Sequence, residues 1–169
     1  AAALPRHEDA AAGFEKMASE SIEQMLPEEI RGHYTAIVRE LQPLVDDESY
    51  TQAIARVDLI LRGIPIDQEN RLLRAAFLAK RGELRLDAEA YEEAEEDIRH
   101  ALHNGLRHPA VWALAGWAYF YMDRPEKALE YFDQVLEEQP DETSALMGRA
   151  LVLIELDELD KARADLTHA

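Results

Sequence analysis

Side chains of matching size recur every 34 residues along most of this chain, and this period is the feature that most limits its possible folds. Three sets show it: the alanines Ala94, Ala128 and Ala162, the large apolar residues Ile98, Phe132 and Leu166, and the small residues Gly82, Gly116 and Ala150. Within one period the apolar residues stand three or four apart, which is the spacing of one helix face. The period therefore predicts a stack of helical hairpins, with two helices and a turn in each repeat.

The clearest unit is residues 109–141, PAVWALAGWAYFYMDRPEKALEYFDQVLEEQPD. Its pattern predicts two helices of similar length joined by a turn at residues 122–125. Gly116 in the first helix faces Ala128 in the second, so the two helices can approach closely. Pro140 is expected to close the unit, because proline cannot continue a helix.

This unit resembles a tetratricopeptide repeat (TPR). It carries that family's pattern W-x3-G-x2-Y-x8-A-x3-F-x7-P at Trp112, Gly116, Tyr119, Ala128, Phe132 and Pro140. The resemblance implies an all-α fold, a right-handed α-solenoid of TPR helical hairpins whose first helices line a concave surface. It also implies a non-enzymatic scaffold that binds a peptide or helix of another protein in the concave groove.

The repeat register divides the chain into three parts. Residues 1–7 have no clear pattern and are expected to fray, and residues 8–26 carry an apolar stripe that predicts an N-terminal capping helix. Residues 27–169 form the predicted TPR array, which consists of a degenerate repeat at 34–67 and clear repeats at 75–108, 109–142 and 143–169.

Three departures from the regular repeat carry predictions of their own. Pro43 lies inside the first helix of the degenerate repeat and is expected to kink or end it. Seven extra residues, 68–74, precede the second repeat, and because seven residues make about two helical turns we expect its first helix to begin early. The last repeat stops at Ala169 on a packing residue, so we expect the array to continue or to be covered by a partner or a second copy.

Charge and composition exclude several classes of function. The chain has 35 acidic and 18 basic side chains, a net charge of −17, which argues against nucleic acid and against an anionic membrane surface. A basic or neutral protein partner is the natural complement. The absence of cysteine excludes disulfides and thiolate metal sites. No apolar run approaches the ~20 residues of a membrane span and no signal peptide is visible, so a cytoplasmic location is the default, with a removed leader left open.

The best candidate for metal binding is the set Glu96, His100 and His103, which would project from one helix face. A solvated acidic helix with two surface histidines accounts for the same residues better, so we predict no metal and no cofactor. The runs of carboxylates lack the desolvated cleft that acid–base catalysis needs, and no glycine-rich phosphate loop is present. The sequence therefore predicts a protein that is not an enzyme.

The predicted binding groove lies on the first helices of the three clear repeats. Its apolar residues are Trp117, Phe120, Tyr121, Met147 and Leu151, and its acidic residues are Glu83, Asp87 and Glu155. Aromatic residues dominate protein interfaces, so we expect a protein or peptide partner with apolar anchors and basic residues. The alternative is that these side chains are core. The positions of a carboxylate clamp for chaperone tails hold Glu83, Trp117 and Leu151, so that TPR subtype is not supported.

Two other functions stay open from the sequence alone. The chain is similar in size and architecture to class II chaperones of bacterial type III secretion, which implies a chaperone for a hydrophobic client protein. Alternatively, the chain is a self-assembling structural module that forms a homo-oligomer through its C-terminal repeat.

Overall fold

The computed structural model describes residues 21–169, and in this part of the chain the fold is all-α, as predicted. Most of the predicted capping helix, together with the N-terminal residues expected to fray, lies outside the described residues. After helical residues 21–25, eight helices follow: α1 Glu28–Asp46, α2 Tyr50–Gly63, α3 Arg71–Asp87, α4 Tyr91–His103, α5 Pro109–Tyr121, α6 Pro125–Glu138, α7 Thr143–Glu155 and α8 Leu159–His168.

The helices form an α-solenoid of antiparallel pairs. Each helix packs against its neighbours in sequence, so the hairpins α1–α2, α3–α4, α5–α6 and α7–α8 are stacked in order. The first helices of successive hairpins also contact each other, whereas within residues 21–169 the second helices do not. The first helices are therefore closer together and line the inner, concave side of the stack.

Glycines in the first helices receive the large apolar residue of the second helices. A Cβ at Gly116 would lie 2.8 Å from Phe132 Cε1, and a Cβ at Gly148 would also clash with the Phe132 ring. In the hairpin before, a Cβ at Gly82 would lie 2.9 Å from Ile98 Cγ1. The 34-residue period of small and large residues thus records direct contacts, and Phe132 is completely buried between two hairpins.

The turn inside each hairpin has the same backbone in all four repeats. Its second residue is acidic and left-handed, with φ values between 54° and 61° at Glu48, Glu89, Asp123 and Asp157. The next residue donates its N–H to a carbonyl five residues back, as Arg124 does to Tyr119 O at 2.9 Å. This bond satisfies one of the carbonyls left open at the end of the first helix.

The structure tests two of the predicted departures from the regular repeat, Pro43 and the extra residues before the second repeat. Pro43 does not end α1, which continues to Asp46. Helix α3 begins at Arg71, four residues before the position that matches Pro109, so the extra residues lengthen it at its start. Arg74 in this extension donates from Nη1 to Leu61 O and Ile64 O at 2.7 Å each, and so caps the end of α2.

Candidate functional site

The predicted groove residues lie on α3, α5 and α7, which line the concave side, but they differ in exposure. Trp117 is 2% exposed. Its indole N–H donates to Ser144 Oγ at 3.3 Å, and its ring meets Phe132 edge to face with the centroids 5.3 Å apart. The expectation that Trp117 offers an exposed anchor is therefore wrong, because α6 and α7 provide partners for the whole side chain.

Phe120 and Tyr121 lie next to Trp117 and are only partly buried. Phe120 packs edge-on against Trp117, with a centroid distance of 5.7 Å. Tyr121 stacks on Tyr91 of α4 at 4.9 Å with an interplanar angle of 13°. Tyr91 was not among the predicted groove residues, although its place opposite the end of α5 gives Tyr121 a fixed orientation.

Met147 and Leu151 continue the apolar surface onto α7, one hairpin further along. Both are partly buried and pack against the main core with one side. Phe120, Tyr121, Met147 and Leu151 therefore form a partly exposed apolar surface, which we call the groove patch. Partial exposure of aromatic and aliphatic side chains in a concave surface is the usual arrangement at a protein-binding site.

The predicted acidic residues divide into one buried residue and two that are more accessible. Glu83 is 3% exposed, and its carboxylate lies 3.2 Å from Lys80 Nζ, which is also buried. It is therefore not the accessible groove charge that the sequence suggested. Asp87 at the end of α3 is partly buried, and Glu155 at the end of α7 is exposed. Partial desolvation, followed by the charge of Asp123, raises the pKa of Glu155.

Three arginines of the first helices, Arg81, Arg85 and Arg149, form ion pairs with buried aspartates. In the second repeat, Arg81 holds Asp97 with two hydrogen bonds of 2.9 and 2.6 Å and reaches Asp58 of α2 at 2.7 Å. Arg85 adds a third bond to Asp97 at 2.6 Å. Asp97 is 1% exposed, so these bonds compensate the loss of its hydration.

The fourth repeat repeats part of this arrangement, 68 residues later. Arg149 holds Asp165 with two bonds of 2.7 Å and reaches Asp133 of the preceding hairpin at 2.8 Å. Asp165 is 7% exposed. The aspartate stands 16 residues after the arginine in both repeats, but the sequence analysis did not predict these pairs.

The candidate metal residues Glu96, His100 and His103 are all exposed. In the part of the chain that the structure describes, no group of three or more His, Asp or Glu side chains is arranged to hold a metal ion. Among residues 21–169 there is also no helix long and apolar enough to cross a membrane.

Comparison with known proteins gives one family and several structures. The family model of the tetratricopeptide repeat matches residues 109–142. A TPR protein from Parabacteroides merdae is 22% identical with a TM-score of 0.65; the match covers 80% of this chain, which spans about half (51%) of that protein. A chain of MamA from Desulfovibrio magneticus RS-1 that runs from position 41 to the end is 17% identical with a TM-score of 0.66, over 94% of this chain and 92% of that chain.

YrrB, described as a TPR protein with an unusual peptide-binding site, is 21% identical with a TM-score of 0.61, over 94% of this chain and 73% of YrrB. At these identities the structural matches show the fold. No curated protein matches the sequence.

Proposed function

The chain is a tetratricopeptide-repeat protein, and on that basis we propose that it is a non-catalytic scaffold that binds a segment of a partner protein in its concave groove. The observation that carries the proposal is the groove patch. Phe120, Tyr121, Met147 and Leu151 are partly exposed on the side of the solenoid lined by the first helices. Side chains with apolar area that is ordered but still accessible are suited to anchor a ligand.

Trp117 has a supporting role in this proposal. Its ring contacts those of Phe120 and Tyr121, at centroid distances of 5.7 and 6.1 Å. Because Trp117 is fixed by Ser144 and Phe132, the two partly exposed rings of Phe120 and Tyr121 pack on a rigid side chain. A partner then loses little free energy in ordering them, which favours binding.

The acidic residues at the two ends of the patch favour basic residues in the ligand. Asp87 and Glu155 end α3 and α7, on either side of the helix that carries Tyr121. A segment with apolar side chains between Lys or Arg residues would match this order, since complementary charges steer association and set register. The fold match to YrrB, a protein described as binding peptide, is consistent with an extended ligand.

The test compares two variants of the full chain in pull-downs from a source-cell lysate. Tyr121→Ala with Leu151→Ala removes two anchors of the groove patch, and Ile66→Ser removes an apolar side chain that is 89% exposed outside it. We expect a partner that the wild type and the Ile66 variant retain and that the double variant loses, with binding about thirtyfold weaker in calorimetry, a hot-spot effect of ~2 kcal/mol. Equal retention by both variants, at equal helicity, would contradict groove binding.

One observation favours a second function, self-association through α8. Leu166 is 36% and Leu159 54% exposed, whereas Ile98 and Phe132, which match Leu166 in earlier repeats, are at most 1% exposed. A second copy that covers this face would bury both leucines. Light scattering over a range of concentrations should then show a rising mass that Leu166→Glu abolishes; a constant monomer mass would exclude this function.

A further inference from the structure

An open cleft lies between α6 and α8, the second helices of the last two repeats. At the matching place in the second repeat, the side chain of Arg85 binds Asp97. The open cleft has a volume of about 320 Å³, and its lining includes Leu129, Asp133, Arg149, Leu153 and Asp165. A second cleft of about 520 Å³ shares Asp133, Arg149 and Asp165 with it. Both clefts are bordered by α6 and α8, so they lie away from the groove patch on the first helices.

The second repeat shows what fits at this place. Its aspartate, Asp97, accepts two bonds from Arg81 and a third, 2.6 Å long, from Arg85. In the fourth repeat Asp165 accepts the same two bonds, from Arg149. The residue that matches Arg85, 68 positions later, is Leu153. The third guanidinium bond is therefore missing, and Leu153 lines the cleft at this place.

The two networks also differ in the balance between arginines and aspartates. The network of the second repeat has two cations, Arg81 and Arg85, for Asp58 and Asp97. That of the fourth has one cation, Arg149, for Asp133 and Asp165. Lys161 lines the cleft but pairs with Glu158, and no second cation of residues 21–169 pairs with Asp165. The cleft therefore carries one excess negative charge beside an accessible carboxylate, since the Asp133 side chain is 48% exposed.

We propose that this cleft binds the guanidinium group of an arginine side chain of a protein partner, in the place that Arg85 occupies in the second repeat. The bound group would donate to Asp165 Oδ2 and to Asp133, with its stem against Leu153. A planar fork suits two carboxylates, whereas lysine offers a single, strongly hydrated charge. The inference is separate from groove binding, because different helices form the two surfaces.

The first experiment uses N-acetyl-arginine methylamide as the probe, in ¹H–¹⁵N correlation spectra of the full chain. Its control is the citrulline analogue, which has the same shape without charge. We expect saturable shifts at the amides of Leu153, Ala164 and Asp165. The affinity should be at least about tenfold weaker for the citrulline analogue, because it lacks one charge-assisted interaction. The amides around Asp97 should not respond, because Arg85 already fills that site. No saturable shift at the cleft, or equal shifts with citrulline, would overturn the proposal.

The second experiment places an arginine of the chain itself in the cleft. Leu153→Arg copies the second repeat, and Leu153→Met is its control with an apolar side chain of similar size. The arginine variant should melt at a higher temperature than the methionine variant and should lose the probe shifts, while the methionine variant keeps them. Probe binding that persists at full strength in Leu153→Arg, or an arginine variant that melts below the methionine variant, would show that the site does not take a guanidinium.

Discussion

The second and third repeats are both helical hairpins with the same turn, but they differ in the side chains at three matching positions. In the second, Arg81 and Arg85 bind the buried Asp97. In the third, these positions hold Ala115, Tyr119 and Tyr131. Tyr119 and Tyr131 stack at 5.7 Å with an angle of 13°, and Lys127 lies 5.2 Å from the Tyr119 ring centre.

The difference shows which parts of the repeat are fixed. The small residues and the large apolar residue persist in every clear repeat, because they set the distance between helices. The position of Arg81 changes to alanine, but only together with the aspartate that it would pair with, because an unpaired buried charge is strongly destabilising. The positions of Arg81 and Asp97 therefore change as a pair, whereas the position of Arg85 varies separately, as Leu153 of the fourth repeat shows.

The shared part of the two repeats should be the most sensitive to substitution. Phe132→Ala would empty a completely buried socket between Gly116 and Gly148, and we expect the free energy of unfolding to fall by about 4 kcal/mol. Urea denaturation followed by circular dichroism measures this. The control Phe132→Leu, which copies Leu166, should cost about 1 kcal/mol; equal losses in both variants would mean that the ring does not fill the socket.

The ion network should be sensitive to the removal of its cations. Arg81→Met with Arg85→Met leaves the buried Asp97 without either of its arginine partners. We expect a loss of about 3 kcal/mol in unfolding free energy, from denaturation curves at neutral pH. The control is the whole set of the third repeat, Arg81→Ala, Arg85→Tyr and Asp97→Tyr, which removes the charge together with its partners. If removing the buried charge together with its partners is what matters, most of the loss should be recovered; a triple variant as unstable as the double one would disprove this.

The hydrogen bond of Tyr119 is a polar link of the third repeat whose loss should have a smaller effect. Tyr119 donates to Glu95 Oε1 at 2.8 Å, and burial, followed by this bond, raises the pKa of Tyr119 to about 12. Tyr119→Phe keeps the stack on Tyr131 but removes the bond, so we expect a loss of about 1 kcal/mol. Tyr131→Phe, which keeps both rings, serves as the control in the same thermal melts. An unchanged stability of Tyr119→Phe would mean that the hydrogen bond to Glu95 contributes nothing beyond what hydration of Glu95 provides.

The smallest effect concerns the residue before the first helix in the third and fourth repeats. His108 Nδ1 accepts from Ala110 N at 3.1 Å, and at the matching position Glu142 Oε2 accepts from Ala145 N at 2.6 Å. Burial lowers the pKa of His108, against an opposing effect of Glu138. The imidazole of His108 is therefore protonated more readily in the unfolded chain than in the folded one. In the folded chain, a proton on Nδ1 would remove the acceptor of the bond from Ala110 N.

The contribution of His108 to stability should be complete above the unfolded pKa of about 6.5 and should decrease as the pH falls through the lower folded value. We expect a decrease of less than about 1 kcal/mol, measured as unfolding free energy between pH 8 and 5.5. His108→Glu copies the cap of the fourth repeat and should lack this step. Parallel curves for the two proteins would show that the step comes from another group.

The sequence predicted the solenoid because its period reflects contacts: Gly82 faces Ile98 and Gly116 faces Phe132 at matching positions of the second and third repeats. It did not predict the burial of Trp117, because α5 is apolar on all sides from Pro109 to Tyr119 and so offers no polar face from which to infer direction. The pairing of Arg81 with Asp97 joins two helices and is invisible to periodicity within one helix. The cleft beside Leu153 depends on a side chain that is smaller than its counterpart Arg85 and uncharged, and only a structural comparison of the second and fourth repeats reveals it.

The four left-handed residues at the hairpin turns, Glu48, Glu89, Asp123 and Asp157, have a consequence for how this protein can change in length. Since the backbone is the same on both sides of each 34-residue segment from Glu89 to Asp157, a duplicated or deleted segment would join its neighbours without new geometry. A glycine at each turn would also relieve a conformational strain of about 1 kcal/mol per residue. The turns are thus interchangeable joints at which recombination can lengthen or shorten the array, while the surfaces on the helices evolve independently.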